Sequence, residues 1–254
     1  MPEKDLNKID FYDDEKHFYE DFWKSRQYEH LSEISAIDKL LTGKRFKIAM
    51  DFGGGYGRLS EALLKYSDKV ILVDPSTKQL DIARKKFIHS QKIDYVLLDR
   101  KDYIPAPDNS LDLILMVRVS HHVIDPTQLF KDIYRALQPG GFAIIEVASN
   151  AHFINRMKRL AKLKSPSKTP IRVGSVANGI TDDTPFVNHN PNTIKNQLIE
   201  AGFKYEKKLS VSNLRSSFLK KHLKAQSLAK VEKHLQAPLA TISFGPSIFI
   251  LVKK

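Results

Sequence analysis

Between Phe46 and Asn150 short apolar runs alternate with amphipathic stretches, and that alternation restricts the chain to one kind of architecture. The strand-like runs are Lys47–Asp51, Val70–Asp74, Tyr95–Asp99, Leu111–Val117 and Phe142–Val147. Helix-like stretches lie between them at Leu59–Tyr66, Thr77–Ile88 and Thr127–Leu137, the last ended by Pro139-Gly140-Gly141. Strand and helix in alternation predict a parallel sheet covered on both faces.

The flanks are organised differently. Residues 1–45 predict a helical cap, with Leu31, Ile34, Ile37 and Leu41 recurring at three- to four-residue spacing. Residues 151–191 read as an inserted basic lid: a short amphipathic stretch carrying Ile154, Met157, Leu160 and Leu163, then a segment rich in Pro, Ser, Gly and Asn. A helix follows, with Asn192 or a neighbour as its cap, Ile194 and Leu198 turned inward and Gly202 as its terminator. Phe203–Leu209 reads as a strand, Leu214–Leu235 as one or two basic helices and Ser247–Val252 as a last strand. The expected organisation is therefore a cap over 1–45 and one domain over 46–254. That domain divides into a cofactor half (46–150), the lid (151–191) and a C-terminal part of the sheet with basic helices (192–254).

Asp51-Phe52-Gly53-Gly54-Gly55-Tyr56-Gly57 stands at the junction of the first strand and the next helix. Glycines there let the backbone turn tightly and approach a ligand, at the strand end where open α/β sheets bind ligands. The second strand ends in Asp74, a carboxylate placed to grip two ribose hydroxyls. A dinucleotide fingerprint would need a third glycine three residues after the second, where this chain has Arg58 or Ser60.

An Asp two residues before G-x-G-x-G resembles motif I of the class I S-adenosylmethionine-dependent methyltransferases. The resemblance continues through Asp74-Pro75-Ser76, Leu98-Asp99-Arg100, Asp108-Asn109-Ser110-Leu111-Asp112-Leu113, His121-His122-Val123-Ile124-Asp125-Pro126 and Leu137-Gln138-Pro139-Gly140-Gly141. These motifs cover roughly residues 46–150 in order, most like the type 11 group. The resemblance implies a Rossmann-like, seven-stranded, mostly parallel sheet with helices on both faces, and S-adenosylmethionine as cofactor. It implies roles for Gly53, Gly55 and Gly57 as close-approach backbone and for Asp51 in orienting that loop and the amino-acid end of the cofactor. Asp74 and Pro75 would serve the ribose, Asp99 and Arg100 the adenine. Arg118, after the fourth strand, is placed to reach the cofactor carboxylate or a substrate anion, with a surface ion pair as the alternative.

Methyl transfer from a sulfonium is an in-line displacement, so the protein mostly holds and orients the partners. Where a base is needed, His121 is the first candidate, with His122, Tyr19 and Tyr28 behind it; a structural role is the alternative for either histidine. With no Cys in the chain, disulfides, thiolate metal sites and cysteine nucleophiles are excluded, 5-methylpyrimidine chemistry included. Val117-Arg118-Val119-Ser120 stands where nucleic-acid amino-methyltransferases resemble one another in an N/D-P-P-Y/F motif, and it also fails a Lys-Asp-Lys-Glu ribose-methylating pattern. The nine histidines show no metal-ligand spacing beyond the adjacent pair His121-His122.

The net charge of +12 is unevenly placed. Residues 1–150 carry 22 basic and 24 acidic side chains, and residues 151–254 carry 19 basic and 5 acidic. Arg156–Arg172 holds seven basic residues and no acidic one. Three readings stay open for the basic half: a solvated face, a membrane-surface helix serving a lipid-linked substrate, or nucleic-acid binding. The polar, acidic N-terminus and apolar runs of only five residues lead us to expect a cytoplasmic protein with no transmembrane segment, compatible with peripheral membrane contact. The expected function is methyl transfer to a small or lipid-like acceptor; the alternatives are an RNA-directed methyltransferase and a catalytically silent binding protein of the same fold.

Overall fold

The computed structural model of the 254-residue chain describes residues 19–100, 103–163, 167–173 and 186–254. The N-terminal segment contributes α1 (Tyr19–Lys24) and α2 (Gln27–Leu41). The alternating part follows as β1 (Phe46–Phe52), α3 (Ser60–Leu63), β2 (Ser67–Asp74), α4 (Thr77–Lys86), β3 (Ile93–Leu97), β4 (Leu111–Met116), α5 (Thr127–Ala136) and β5 (Leu137–Ala148). Then come α6 (Phe153–Leu160), β6 (Ile171–Arg172), β7 (Val187–Asn188), α7 (Pro191–Glu200), β8 (Lys204–Val211), α8 (Ser217–His222), α9 (Ala225–Leu235) and β9 (Ser247–Lys253).

Seven strands form one sheet in the order β3-β2-β1-β4-β5-β9-β8. β1 to β5 are mutually parallel, and β9 runs antiparallel to both of its neighbours. The expected seven-stranded, mostly parallel sheet is thus observed. Its strands are apolar on both faces because both are covered. In β4, Ile114 and Met116 pack into one core with Phe130 and Ile133 of α5 and Leu198 of α7, whereas Leu113 and Leu115 pack into the other with Ile37 and Leu41 of α2 and Leu80 of α4.

Several details differ from the sequence expectation. The helix after the glycine loop is a single turn, α3. The cap expected at Asn192 or a neighbour falls at Asn190: its side chain accepts the Asn192 N–H, and Pro191 occupies the first turn, where its missing N–H costs nothing. Pro139-Gly140-Gly141 lies within the start of β5, where the pairing with β4 shifts between Leu111 and Leu113; a Cβ on Gly141 would meet the Gln138 carbonyl oxygen at 2.9 Å. The stripe of α2 is rotated from the expected one. Leu31 and Ile34 are half-buried, while Tyr28, Glu29, Ser32 and Glu33 share the buried face with Ala36, Ile37, Leu40 and Leu41.

Of the lid expected over 151–191, residues 164–166 and 174–185 lie outside the described residues. The described parts are tied to the sheet end: the Asn150 side chain donates to the Ser167 and Thr169 carbonyls, and the Asn190 side chain to Ser167. Among the described residues no helix is long and apolar enough to cross a membrane.

Candidate active site

Asp51 is the penultimate residue of β1 and is 2% exposed; its Oδ2 accepts the Ser60 hydroxyl at 2.7 Å. Burial pushes its carboxyl up to about 6, even though the Ser60 bond and the charges of Arg58 and Lys86 pull it down. The chain then turns through Gly53, Gly55 and Gly57 at φ of +71°, +57° and +75°, the left-handed region that disfavours any side chain. Space is as demanding as conformation. A Cβ on Gly53 would stand 2.3 Å from Val119, on Gly54 2.7 Å from the Asp51 carboxyl carbon, and on Gly57 2.5 Å from Phe87.

Asp74, at the end of β2, holds this loop from the side. Its Oδ2 accepts the Gly55 N–H at 2.8 Å and its Oδ1 the Ser76 N–H at 2.9 Å. Pro75 is half-buried, and Ser76 caps α4 by accepting the Gln79 N–H. Asp51, Gly53, Gly55, Gly57, Asp74 and Pro75 therefore come together at one strand edge. Asp99 and Arg100 follow β3 and are exposed, one strand further out.

After β4 the chain enters a short 3-10 turn, Ser120–His122. The His121 ring is 4.1 Å from His122 and 4.8 Å from Phe186, and Phe186 meets His122 edge-on at 4.7 Å. His189 shares its Nε2–H between the Ser120 and Val123 carbonyls, at 3.1 and 3.0 Å, and so fixes the turn. Burial, with His122, Arg118 and His189 nearby, holds the His121 imidazole well below the usual histidine range, so the ring is neutral at physiological pH.

Arg118 has a positive φ of +60° and donates its N–H to Glu146 at 3.0 Å. Its guanidinium donates twice to Glu33 Oε1, at 3.0 and 2.7 Å, while Arg58 donates to Glu33 Oε2 at 2.6 Å. Glu33 is fully buried; burial would raise its carboxyl, but the two guanidinium groups outweigh that and hold it low. Both guanidinium groups also lie over the Trp23 ring, at 3.5 Å for Arg58 and 4.7 Å for Arg118. The ion pair weighed for Arg118 is thus present, with a buried partner. Tyr28 takes a structural position: its hydroxyl donates to Glu232 at 2.8 Å and accepts the Leu214 N–H, and burial raises its phenol far above the usual value.

Sequence reasoning missed Glu33, Trp23, Phe186 and His189. For Glu33 a signal existed, since Glu29 and Glu33 fall at helical spacing with Ala36, Ile37 and Leu40 on a face that is otherwise apolar.

Residues 50–145 match the family model described as "Methyltransferase domain", of type 11. An uncharacterized methyltransferase of Mycobacterium bovis is 34% identical over 106 residues, which cover 42% of this chain and 41% of that protein. A ubiquinone biosynthesis O-methyltransferase of Thiobacillus denitrificans is 30% identical over 121 residues, covering 46% and 52%. The match spans about half or less of the length of these curated relatives. The structure of an S-adenosylmethionine-dependent methyltransferase from Thermotoga maritima superposes with a TM-score of 0.58 at 23% identity, covering 93% of this chain and 94% of that one, a likeness of fold. The fold is that of the class I methyltransferases. Residues 50–145 match the type 11 methyltransferase model that the motifs resemble, and S-adenosylmethionine is the cofactor that this likeness implies.

The residues present fit that cofactor. The three left-handed glycines remove side chains from the end of β1. Asp74 sets a carboxylate, the acceptor type that ribose hydroxyls need, at the strand end beside that loop, held there by the Gly55 and Ser76 N–H groups.

Proposed function

We propose that the protein transfers the methyl group of S-adenosylmethionine by in-line displacement to a small or lipid-like acceptor. The observation that carries this reading is the Gly53–Gly57 loop, tied to Asp74 where the strand order reverses between β1 and β4. Such a switch point leaves a crevice at the carboxyl ends of the strands, where open α/β sheets bind ligands.

When bound, S-adenosylmethionine supplies an activated methyl electrophile, and the protein contributes positioning. Asp74 accepts the ribose hydroxyls, with Pro75 shaping the turn beneath them. Asp51 holds the loop through Ser60 and faces the amino-acid end, and Asp99 with Arg100 borders the adenine. His121, neutral and packed against His122 and Phe186, accepts a hydrogen bond from the acceptor's O–H or N–H and aims its lone pair. Its depressed basicity suits orienting an acceptor better than fully deprotonating a weakly acidic one. Names among the relatives, such as ubiquinone biosynthesis O-methyltransferase, support an acceptor of lipid character.

Titration calorimetry with S-adenosylmethionine tests the reading. Asp74→Ala should lose on the order of 1.5–3 kcal/mol of affinity, the worth of hydrogen bonds to a charged group. Asp74→Asn, which keeps shape and one acceptor, should fall between. Unchanged affinity in both, or no binding by the wild-type chain, sinks the assignment.

A further inference from the structure

α6 is built inside out. Its apolar side chains face solvent: Ile154 is 59% exposed, Met157 50% and Leu160 65%, with Leu163 at 95% just beyond the last turn. The half-buried side of the same helix is polar, formed by Asn155, Arg156 and Arg159. The Asn155 side chain bonds back to the Asn150 carbonyl, and Arg156 Nε is buried with no hydrogen-bond partner among the described residues. Leu163 holds a positive φ of +53°, unfavourable for a γ-branched residue, and in that conformation its side chain is almost wholly solvent-facing. A helix ordinarily turns its apolar stripe to the core and its charges to water. Here the reversal leaves a ridge of four large apolar side chains that no described residue covers.

The surroundings of the ridge are cationic. Lys158 and Lys162 flank it and are exposed, Lys168 and Arg172 follow, and no acidic residue occurs between Arg156 and Arg172. On the adjoining β8, Lys208 has its ammonium pKa lowered first by burial and then by the charges of Lys195 and Arg156, which marks the local potential as positive. These features select one occupant. A second copy of the chain would bring two such clusters face to face, and the ridge, roughly 500 Å² from its fractional exposures, falls short of the ~800 Å² per partner of a stable protein interface. Nucleic acid would match the charge and leave four aliphatic side chains in water. A bilayer with anionic headgroups accepts both.

We propose that α6, with Leu163, docks this protein onto an anionic lipid surface. The helix lies in the interface with Ile154, Met157, Leu160 and Leu163 among the acyl chains and Lys158 and Lys162 at the headgroups. The same docking bears on the acceptor. Asn150, just before α6, donates its N–H to the His189 carbonyl at 2.9 Å, and His189 bonds the turn that carries His121. If that turn serves methyl transfer as proposed above, an acceptor drawn from the bilayer arrives beside it.

The test is flotation of the full chain with vesicles, in about 0.1 M salt, of phosphatidylcholine alone or mixed equally with phosphatidylglycerol. Partitioning should be at least tenfold stronger on the anionic vesicles. Met157→Asp/Leu160→Asp and, separately, Lys158→Glu/Lys162→Glu should each reduce it at least tenfold. These positions are exposed, so the thermal transition should stay in place, and a chain that still binds S-adenosylmethionine is folded. Equal binding to both vesicle types, no binding, or wild-type binding by the Met157→Asp/Leu160→Asp variant overturns the proposal. So does a concentration-dependent dimer that the same substitutions dissolve. No methyl acceptor enters the measurement, so its failure leaves the methyltransferase reading standing.

Discussion

Asp51 shows at the scale of one residue how a site is held at a cost in stability. Its carboxyl titrates near 6 when folded, against 3.8 ordinarily, because burial disfavours the charge. Between those values the folded chain binds more protons than the unfolded one. The contribution of Asp51 to stability is therefore greatest in acid and is lost as pH rises through about 4 to 6, leaving a penalty of about 3 kcal/mol at neutral pH. Asp51→Asn should raise the unfolding free energy by about 1–3 kcal/mol at pH 8, with the gain fading toward pH 4, while S-adenosylmethionine binds more weakly; denaturant titrations at the two pH values check the sign. His121 is displaced in the opposite direction. Its neutral form persists below the ordinary histidine range, so kcat/KM should stay flat from about pH 6 to 8, and an inflection near 6.5 that His121→Gln removes would contradict its lowered basicity. His121→Gln should lower kcat about 10²-fold with cofactor affinity intact.

Among the elements, α2 joins the two ends of the molecule to the cofactor edge. Glu33 receives Arg58 from the segment after the glycine loop and Arg118 from the end of β4, and one turn earlier Glu29 receives Lys220 of α8 at 2.8 Å. Tyr28 reaches Glu232 of α9, which also accepts from Asn213. Glu33→Gln removes the charge that two half-buried guanidinium groups share and should destabilise the fold by about 3–5 kcal/mol. Adding Arg118→Met should recover part of that loss, a coupling that a double-mutant cycle in thermal unfolding measures. Tyr28→Phe leaves the Leu214 N–H and Glu232 short of a partner and should cost about 1–3 kcal/mol. The stripe expected for α2 named Ile37 and Leu41 correctly and placed Leu31 and Ile34 where Glu29 and Glu33 are. Apolar spacing alone does not assign a carboxylate to a buried face, because its two guanidinium partners are 25 and 85 residues away in sequence.

Across the whole molecule, charge and fold separate. The nearly neutral first 150 residues carry the glycine loop, Asp74 and the histidine turn, and the basic remainder carries α6 to α9 and the last two sheet strands. The alternating strands and helices of the parallel sheet and the position of the glycine loop were legible beforehand for a physical reason. Short continuous apolar runs, helical spacing and glycines required at positive φ are local properties, written in neighbouring residues. What the tertiary structure decided depends on distant partners: the burial of Glu33 between Arg58 and Arg118, the structural hydroxyl of Tyr28, and Phe186 and His189 closing on the His121 turn. α6 draws the same line most sharply. Its sequence determined an amphipathic basic helix, and only the partial burial of the Asn155 and Arg156 side decided that the apolar face would point outward, since a helical period specifies two faces without saying which one the rest of the chain will cover.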